Sequence, residues 1–341
     1  MKRGKYILFL AVLLGFCHLA NGQTGLQLSQ QFQNPSALNP AFSGIDNYLD
    51  IKAGSRQQWS GMTDAPRVYY LSVNGVLIKP KYQSIKSNAL RISDPSLYSE
   101  SESNQFNRLS AIKHGFGFNI VNDSYGPFNQ LNAYLSYGFH FPITRKLRLS
   151  IGAAGGIVNT QINKEKIKVD EEFEAIDKTY QAFLAHGGES AQFNMTTGAL
   201  LYHKDFYVGY SATNLMENVL ISGLSEEKTA IQHAIQAGVK IRLGSDYQIL
   251  PSAVYRIVEP FEAFMNYGLK LRYRNSFWGG VSYRDNKDLI VMTGFYLNNG
   301  LNISYSYDFS LNGMNDRLKG SHEVVVGIAV FNHSSSIPYA W

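Results

Sequence analysis

His322 and Glu323 are the adjacent residues of this chain that come nearest to a catalytic metal motif. A zinc protease carries a His-Glu pair on a helix, with a second His four residues after the first. Val326 stands at that fourth position, so the second nitrogen ligand is missing. We therefore predict no metal site and no cofactor here.

The other residues capable of chemistry also lack a catalytic pattern. Serine is abundant, but no serine lies in a G-x-S-x-G nucleophile motif. We expect His114 and His140 to be hydrogen-bonded residues of the lumen or its rim, and glycines such as Gly115 and Gly152 to relieve crowding within strands. The sequence thus predicts no catalytic residue and a protein that is not an enzyme. A Ser-His pair assembled across strands stays open as an alternative.

Alternating apolar and polar residues form the elements that carry these side chains. In residues 131–141 every odd position is apolar, and the same alternation returns in residues 301–309. Because successive strand side chains point to opposite faces, each segment has one apolar face and one polar or small face. Aromatic residues crowd the apolar faces and the strand ends, and the segments are long. This pattern favours a transmembrane β-barrel over a soluble sheet.

We predict an all-β fold, an antiparallel transmembrane barrel of about fourteen strands. An even number of strands brings both ends of the barrel chain to one side of the membrane. The predicted strands are residues 47–58, 67–78, 111–122, 128–141, 146–158, 192–203, 205–214, 232–243, 247–258, 262–273, 276–284, 288–296, 300–309 and 322–331.

Charged residues of these strands fall on the face opposite the apolar residues. Leu269 and Leu271 would meet lipid, and the alternating positions place Lys240, Arg242, Lys270 and Arg272 inside. A Lys or Arg on the lipid face at mid-membrane costs roughly 2–4 kcal/mol, so this parity is constrained. The residues predicted to have structural roles in the lumen or at its rim are Glu262, Lys270, Arg272, Arg284 and Asp308.

Asp308 and Trp278 carry two further expectations. Asp308 should point into the lumen near the outer end of its strand, where Arg284, Arg317 or Lys319 can neutralise it. Trp59 and Trp278 fit an aromatic girdle at the membrane interface.

The first 22 residues read as a secretory signal peptide. Basic residues within 2–5 precede an apolar run at 6–19, and we predict cleavage between Gly22 and Gln23. The single cysteine, Cys17, lies inside this segment and raises lipidation as an alternative. Phe16 precedes it where a lipoprotein has a small residue, so we expect simple cleavage. Disulfide and thiol chemistry are then excluded.

Removal of the signal peptide leaves 28 of the 31 basic residues against 26 acidic residues, a net charge of +2. That balance predicts no nucleic-acid partner. The sequence has no apolar run of about 18 residues that could span a membrane as a helix. The slightly negative mean hydropathy of −0.18 is compatible with insertion into outer-membrane lipid, since only alternate barrel residues face lipid.

The connections between strands predict an orientation. Residues 23–46 form a polar leader, 47–331 the barrel and 332–341 a C-terminal tail. Turns after even-numbered strands are short and should face the periplasm, which makes 159–191 an extracellular loop. Residues 79–110 break this rule, and we predict a periplasmic loop that binds a partner. Its basic residues are Lys79, Lys81, Lys86, Arg91 and Arg108.

Short motifs follow one another in a fixed order along the chain. Asn-Pro pairs in the leader predict a looped N-terminus, because the residue before proline avoids helical geometry. The motifs are Phe32-Gln33-Asn34-Pro35, Asn39-Pro40-Ala41-Phe42-Ser43-Gly44, Arg56-Gln57-Gln58-Trp59, Ala65-Pro66-Arg67, Leu250-Pro251-Ser252, Trp278-Gly279-Gly280-Val281-Ser282-Tyr283-Arg284, Tyr305-Ser306-Tyr307-Asp308 and Gly320-Ser321-His322-Glu323. In this order and spacing they resemble the PorP/SprF family of outer-membrane proteins of the Bacteroidetes type IX secretion system.

The resemblance covers nearly the whole mature chain and implies a non-enzymatic barrel in the outer membrane of a Gram-negative cell. Members of that family work with the secretion and gliding apparatus. They associate with the periplasmic ring lipoprotein PorK and its partner PorN, or help hold large secreted adhesins at the cell surface. The chain departs from the pattern where residues 332–341 follow Phe331, the end of the last predicted strand. The alternative to this secretion role is a stand-alone outer-membrane channel for small solutes.

Overall fold

The computed structural model describes residues 28–62, 64–78, 112–163, 166, 188–221, 230–258, 262–274, 276–285, 288–297, 300–311 and 320–332. Three predictions lie outside these residues. They are the signal peptide with its cleavage site at Gly22 and Gln23, the loop with Lys79, Lys81, Lys86, Arg91 and Arg108, and the C-terminal tail beyond residue 332. None of the described residues belongs to a helix long and apolar enough to cross a membrane.

Fourteen antiparallel strands close into a barrel, which confirms the predicted fold class and strand number. The strands are β1 (Leu49–Gln57), β2 (Arg67–Ile78), β3 (Lys113–Tyr125), β4 (Phe128–Pro142), β5 (Leu147–Ile162), β6 (Glu189–His203), β7 (Phe206–Thr213, continued by Glu217–Ile221), β8 (Gln232–Val239, continued by Ile241–Leu243), β9 (Tyr247–Val258), β10 (Glu262–Tyr273), β11 (Phe277–Arg284), β12 (Asp288–Tyr296), β13 (Leu301–Ser310) and β14 (Ser321–Val330).

Each strand pairs with its neighbours in sequence, and β1 pairs with β14 to close the barrel. In that closing pair Leu49 lies opposite Val330 and Gln57 opposite His322. Closure leaves no free sheet edge, so the backbone hydrogen bonds are satisfied within the barrel wall. β5 and β6 extend into the range 159–191 that was predicted as a loop, because their ladder continues to the pair Gln161 and Glu189.

Side chains alternate between a lipid-facing surface and the lumen. Leu269 is 47% exposed, whereas its neighbour Lys270 is fully buried inside.

Arg242 was predicted to point inward, and this prediction is wrong. It lies at the end of β8 with an exposed side chain and donates to Asp205 in the adjacent turn at 2.5 Å. A strand end beyond the packed lumen lets a long cation reach solvent.

The two ends of the barrel differ. We name the end where β1 begins, at Leu49, the proximal end, and the end where β1 finishes, at Gln57, the distal end. The strand ends at the proximal end are joined through residues 79–112, 143–146, 204–205, 244–246, 274–276 and 297–300. The strand ends at the distal end are joined through residues 58–66, 126–127, 163–188, 222–231, 259–261, 285–287 and 311–320.

Candidate functional site

The leader lies inside the barrel instead of beside it. Its backbone runs from Ser29 at the distal end to Ile45 at the proximal end. Ser29 contacts Glu323, near the start of β14. Ile45 contacts Lys113, the first residue of β3. The looped N-terminus expected from the sequence is therefore a plug, and we call residues 28–48 the plug.

Asn-Pro pairs give the plug its compact turns. Pro35 and Pro40 each begin a single 3₁₀ turn, where the fixed φ angle of proline suits the first position. The Asn39 side chain accepts from the backbone N–H of Ala41 at 3.0 Å and so caps the second of these turns. Gly44 has a φ of 75°, which favours glycine at the bend toward β1.

Barrel side chains satisfy the backbone of the plug. Between Leu28 and Ile45 the plug has no charged residue, so the wall contacts it through backbone carbonyl oxygens. A buried carbonyl without a partner is costly, which makes these contacts important for stability. In each of these hydrogen bonds a wall side chain donates to the backbone carbonyl oxygen of a plug residue. The pairs, wall residue first, are Arg284 and Leu28 (2.6 Å), Lys52 and Gln33 (2.6 Å), Ser211 and Leu38 (2.9 Å), Ser150 and Ala41 (2.8 Å), His140 and Ser43 (2.8 Å), and Lys113 and Ile45 (2.5 Å).

Apolar side chains anchor the plug at two heights. Phe32 packs with Trp278 and Met292 in one buried cluster. Phe42 packs with Leu200 and meets Tyr207 edge to face, at 5.4 Å between ring centroids, in another cluster. Both phenylalanines are almost fully buried. The plug is therefore fixed by hydrophobic contacts as well as by hydrogen bonds.

Lumen glycines make room for the plug. A Cβ atom at Gly152 would overlap the backbone of Pro40 and Ala41, and one at Gly115 would overlap Ser43 and Gly44. The sequence predicted that these glycines relieve crowding. The structure identifies the plug backbone as the crowding group at both positions.

A buried group of ionised side chains holds the distal end of the plug. We name Arg56, Arg284, Asp308 and Glu323 the distal charge cluster. Arg56 Nη2 lies 2.9 Å and Arg284 Nη1 3.8 Å from Asp308 Oδ2, and Arg56 Nε lies 3.8 Å from Glu323 Oε2. Two basic side chains therefore face two acidic ones. Ser29 donates its N–H to Glu323 at 2.6 Å and its hydroxyl to Asp308 at 2.8 Å.

Arg284 was among the three partners expected for Asp308, whereas Arg56 was not foreseen. Arg317 and Lys319 lie outside the described residues. The signal that identifies Arg56 is the register of the closing pair, in which it stands opposite Glu323. That register becomes visible only when β1 and β14 are known to pair.

Lys270 and Arg272 lie fully buried in the proximal half of the lumen, beside aromatic rings. Lys270 Nζ is 3.8 Å from the centroid of Trp278 and donates to the Tyr296 hydroxyl at 3.4 Å. Arg272 lies 5.6 Å from the centroid of Tyr296. Trp278 is buried inside the barrel, so its predicted place in an interfacial girdle is wrong. The cations against ring faces explain the inward position.

The other sequence-derived candidates lie apart. His322 faces outward and its Nδ1 pairs with the Tyr305 hydroxyl at 2.7 Å, whereas Glu323 faces the lumen. The two side chains are on opposite faces of β14 and cannot share a metal. Within the described ranges, no group of three or more His, Cys, Asp or Glu side chains could hold one. Glu262 begins β10 opposite Val258.

A cavity of about 340 Å³ lies between the plug and the wall in the distal half of the barrel. It is lined by plug residues such as Asn34 and Leu38 and by wall residues such as Asn132 and Asn194. A smaller cavity of about 30 Å³ lies elsewhere along the plug, lined by residues such as Gln33, Tyr48 and Lys52.

Comparison with solved structures places the chain among outer-membrane barrels. CymD, a monoaromatic hydrocarbon channel, superposes with a TM-score of 0.50 at 11% identity over 92% of this chain and 95% of its own. The toluene transporter TbuX of Ralstonia pickettii superposes with a TM-score of 0.48 at 10% identity over 88% of this chain and 92% of its own. At such identities the likeness to CymD shows the fold alone.

A search of curated proteins finds no match. Comparison with family models identifies the family of the chain. The model described as type IX secretion system membrane protein PorP/SprF matches residues 20–328. That range contains the plug, every barrel strand but the last two residues of β14, and all the motifs quoted above. The chain therefore belongs to the PorP/SprF family of type IX secretion system membrane proteins.

Proposed function

We propose that this protein is a non-enzymatic outer-membrane component of the type IX secretion and gliding machinery. In this role the barrel docks to periplasmic ring proteins and helps to secrete surface adhesins or hold them at the surface. The family supports the setting. The observation that best supports the proposal is that the plug occupies the lumen. Many side chains of the wall bind this fixed segment, which suits a scaffold.

The proposed orientation puts the proximal end in the periplasm. Bacterial barrels have short periplasmic turns and longer extracellular loops. Five of the six connections at the proximal end have four residues or fewer, against three of the seven at the distal end, which favours this orientation. The connection 79–112 then extends into the periplasm. Its basic residues Lys79, Lys81, Lys86, Arg91 and Arg108 are the proposed contact for the ring lipoprotein PorK and its partner PorN.

A pull-down from native outer membranes tests this assembly role. The tagged protein is extracted in mild detergent, and the bound proteins are identified by mass spectrometry. We expect a ring lipoprotein or a large secreted adhesin with the full-length protein. Replacing residues 81–108 by a short Gly-Ser linker should remove the ring protein. The matched control shortens the distal connection at 167–185 and should keep it. A full-length protein that recovers no partner would contradict the proposal.

Single-channel conductance tests the alternative of a stand-alone solute channel. The purified barrel is inserted into a planar bilayer and compared with an open porin of similar strand number. A lumen filled by residues 28–48 should conduct little at all voltages below the breakdown of the bilayer. Stable, porin-like conductance of the full-length protein would favour the channel.

A further inference from the structure

The connections at the two ends of the barrel differ in charge. Along the full sequence, the connections at the proximal end contain nine basic and five acidic residues. Those at the distal end contain eight basic and twelve acidic residues. The proximal connections therefore carry a net positive charge and the distal connections a net negative charge. A surface with an excess of one sign attracts partners of the opposite sign.

Exposed basic side chains follow one another along the proximal rim. Arg145 and Lys146 lie in the turn between β4 and β5, and Lys204 lies in the turn between β6 and β7. Arg242 and Arg274 stand at the next two turns along the wall. Neighbouring strands are about 4.8 Å apart, so successive turns lie roughly 10 Å from one another and the four turns span roughly 30 Å. We name these five residues the proximal basic arc.

The acidic residues of the rim do not cancel the charge of the arc. Asp205 and Asp246 are the acidic residues of the proximal turns that the structure describes. Asp205 accepts from Arg242 at 2.5 Å, and Asp246 accepts from Arg274 at 3.3 Å. Five basic residues thus stand beside two acidic ones, and the arc keeps a net positive charge.

The inner side of the same mouth is also basic. Lys113 begins β3 and donates to the plug at Ile45. Arg148 and Lys240 occupy positions of β5 and β8 that face the lumen, and Asp46, at the end of the plug, brings one opposing charge to this region. Lipid headgroups lie outside the wall and do not reach these inner residues. A polypeptide that crosses the mouth can approach both the arc and the inner cations.

We propose that the proximal mouth binds an acidic segment of another polypeptide. An extended chain advances about 3.3 Å per residue, so a segment of roughly ten residues spans the arc. Its carboxylates would meet guanidinium and ammonium groups in turn, and such complementarity sets specificity and the rate of association. A basic segment would be repelled. This inference concerns the chemistry of the mouth, goes beyond the proposed assembly role and does not depend on it.

Titration of the full-length protein with fluorescent peptides tests the proposal. The barrel is held in an uncharged maltoside detergent, and fluorescence anisotropy measures the binding of a peptide of about twelve glutamates, which is long enough to span the arc. We expect saturable binding that weakens about tenfold when NaCl is raised from about 0.05 to 0.5 M, because salt screens exposed charges. A lysine peptide of the same length should not bind.

Two triple variants locate the binding. Arg145→Gln/Lys146→Gln/Lys204→Gln removes three exposed positive charges from the arc and should weaken binding of the glutamate peptide about tenfold. Arg67→Gln/Lys166→Gln/Lys168→Gln is the matched control, because it also removes one arginine and two lysines, but from the distal end. It should bind like the wild type. The change of gel migration on heating checks that both variants are folded.

Several outcomes would overturn the proposal. They are absence of binding to the glutamate peptide, equal binding of the lysine peptide, binding that high salt leaves unchanged, and equal loss in both variants. Monomeric short-chain phosphatidylglycerol is the competitor that tests a lipid ligand. If it displaces the glutamate peptide at a lower concentration of charge than unlabelled peptide does, the mouth binds lipid headgroups instead. The pull-down identifies a native partner and this titration the chemistry of the mouth, so either can fail alone.

Discussion

Asp308 shows at the scale of one residue how the barrel and the plug depend on each other. Its carboxylate bonds Arg56 from β1 and Ser29 from the plug and lies close to Arg284 from β11. These groups are buried, so the cost of desolvating each charge is offset only while every partner is present. The same contacts that neutralise Asp308 therefore fix the distal end of the plug.

Asp308→Asn should destabilise the protein by about 3–5 kcal/mol, since the substitution leaves Arg56 and Arg284 with an uncompensated buried charge. Asp64→Asn is the control. It breaks an exposed pair, with Lys166 Nζ 2.6 Å from Asp64 Oδ1, and should cost about 0–1 kcal/mol. Reversible urea unfolding in lipid vesicles measures both free energies. Equal effects of the two substitutions would contradict the role given to the distal charge cluster.

Gly152→Leu should open the lumen, because its side chain would occupy the space of Pro40 and Ala41 in the plug. We expect higher single-channel conductance than in the wild type, measured in planar bilayers. Gly279→Leu is the matched control. An ideal Cβ at Gly279 comes no nearer than 3.9 Å to another group, so conductance should not change. If Gly152→Leu folds and conducts like the wild type, the plug does not lie against this glycine.

The strands are the elements that the sequence predicts well. Alternation is a local property, so residues 262–273 could be assigned as a strand with Leu269 outside and Lys270 inside before any contact was known. The plug could not be predicted in this way. From Leu28 to Ile45 it is uncharged, and its carbonyl groups, which every residue carries, make the contacts with Lys52 and Lys113. Such recognition leaves little trace in local composition.

The lipid-facing surface of β10 gives the prediction for this scale. Leu269→Arg should cost about 2–4 kcal/mol, because it places a charge in the hydrocarbon region. Tyr273→Arg lies on the same face at the end of the strand and should cost only about 0–1 kcal/mol. The yield of folded barrel in lipid vesicles measures the difference between the two variants. Folded protein is recognised on gels because its migration changes after heating. Equal tolerance at the two positions would refute the assigned lipid face or its depth.

The whole molecule is a barrel whose lumen is filled by its own N-terminal segment. The plug enters the described part of the chain at the distal end, with Leu28 bonded to Arg284, and leaves at the proximal end into β1. In the proposed orientation, Leu28 lies toward the outer side of the membrane.

A disulfide between plug and wall tests the filled lumen most directly. The hydroxyl oxygens of Ser43 and Ser136 are 2.7 Å apart, and Cys17 is the one cysteine of the whole sequence. In the variant Ser43→Cys/Ser136→Cys, a protease site placed in residues 79–110 separates the two positions along the chain.

After oxidation in native membranes and cleavage, the account predicts that the two fragments of this variant stay joined on non-reducing gels and separate when reduced. The control variant Ser43→Cys/Ser245→Cys places one cysteine in the plug and the other in an exposed proximal turn. No disulfide should form between them, so its two fragments should separate without reduction. Fragments of the Ser43→Cys/Ser136→Cys protein that part under non-reducing conditions would contradict the plugged barrel.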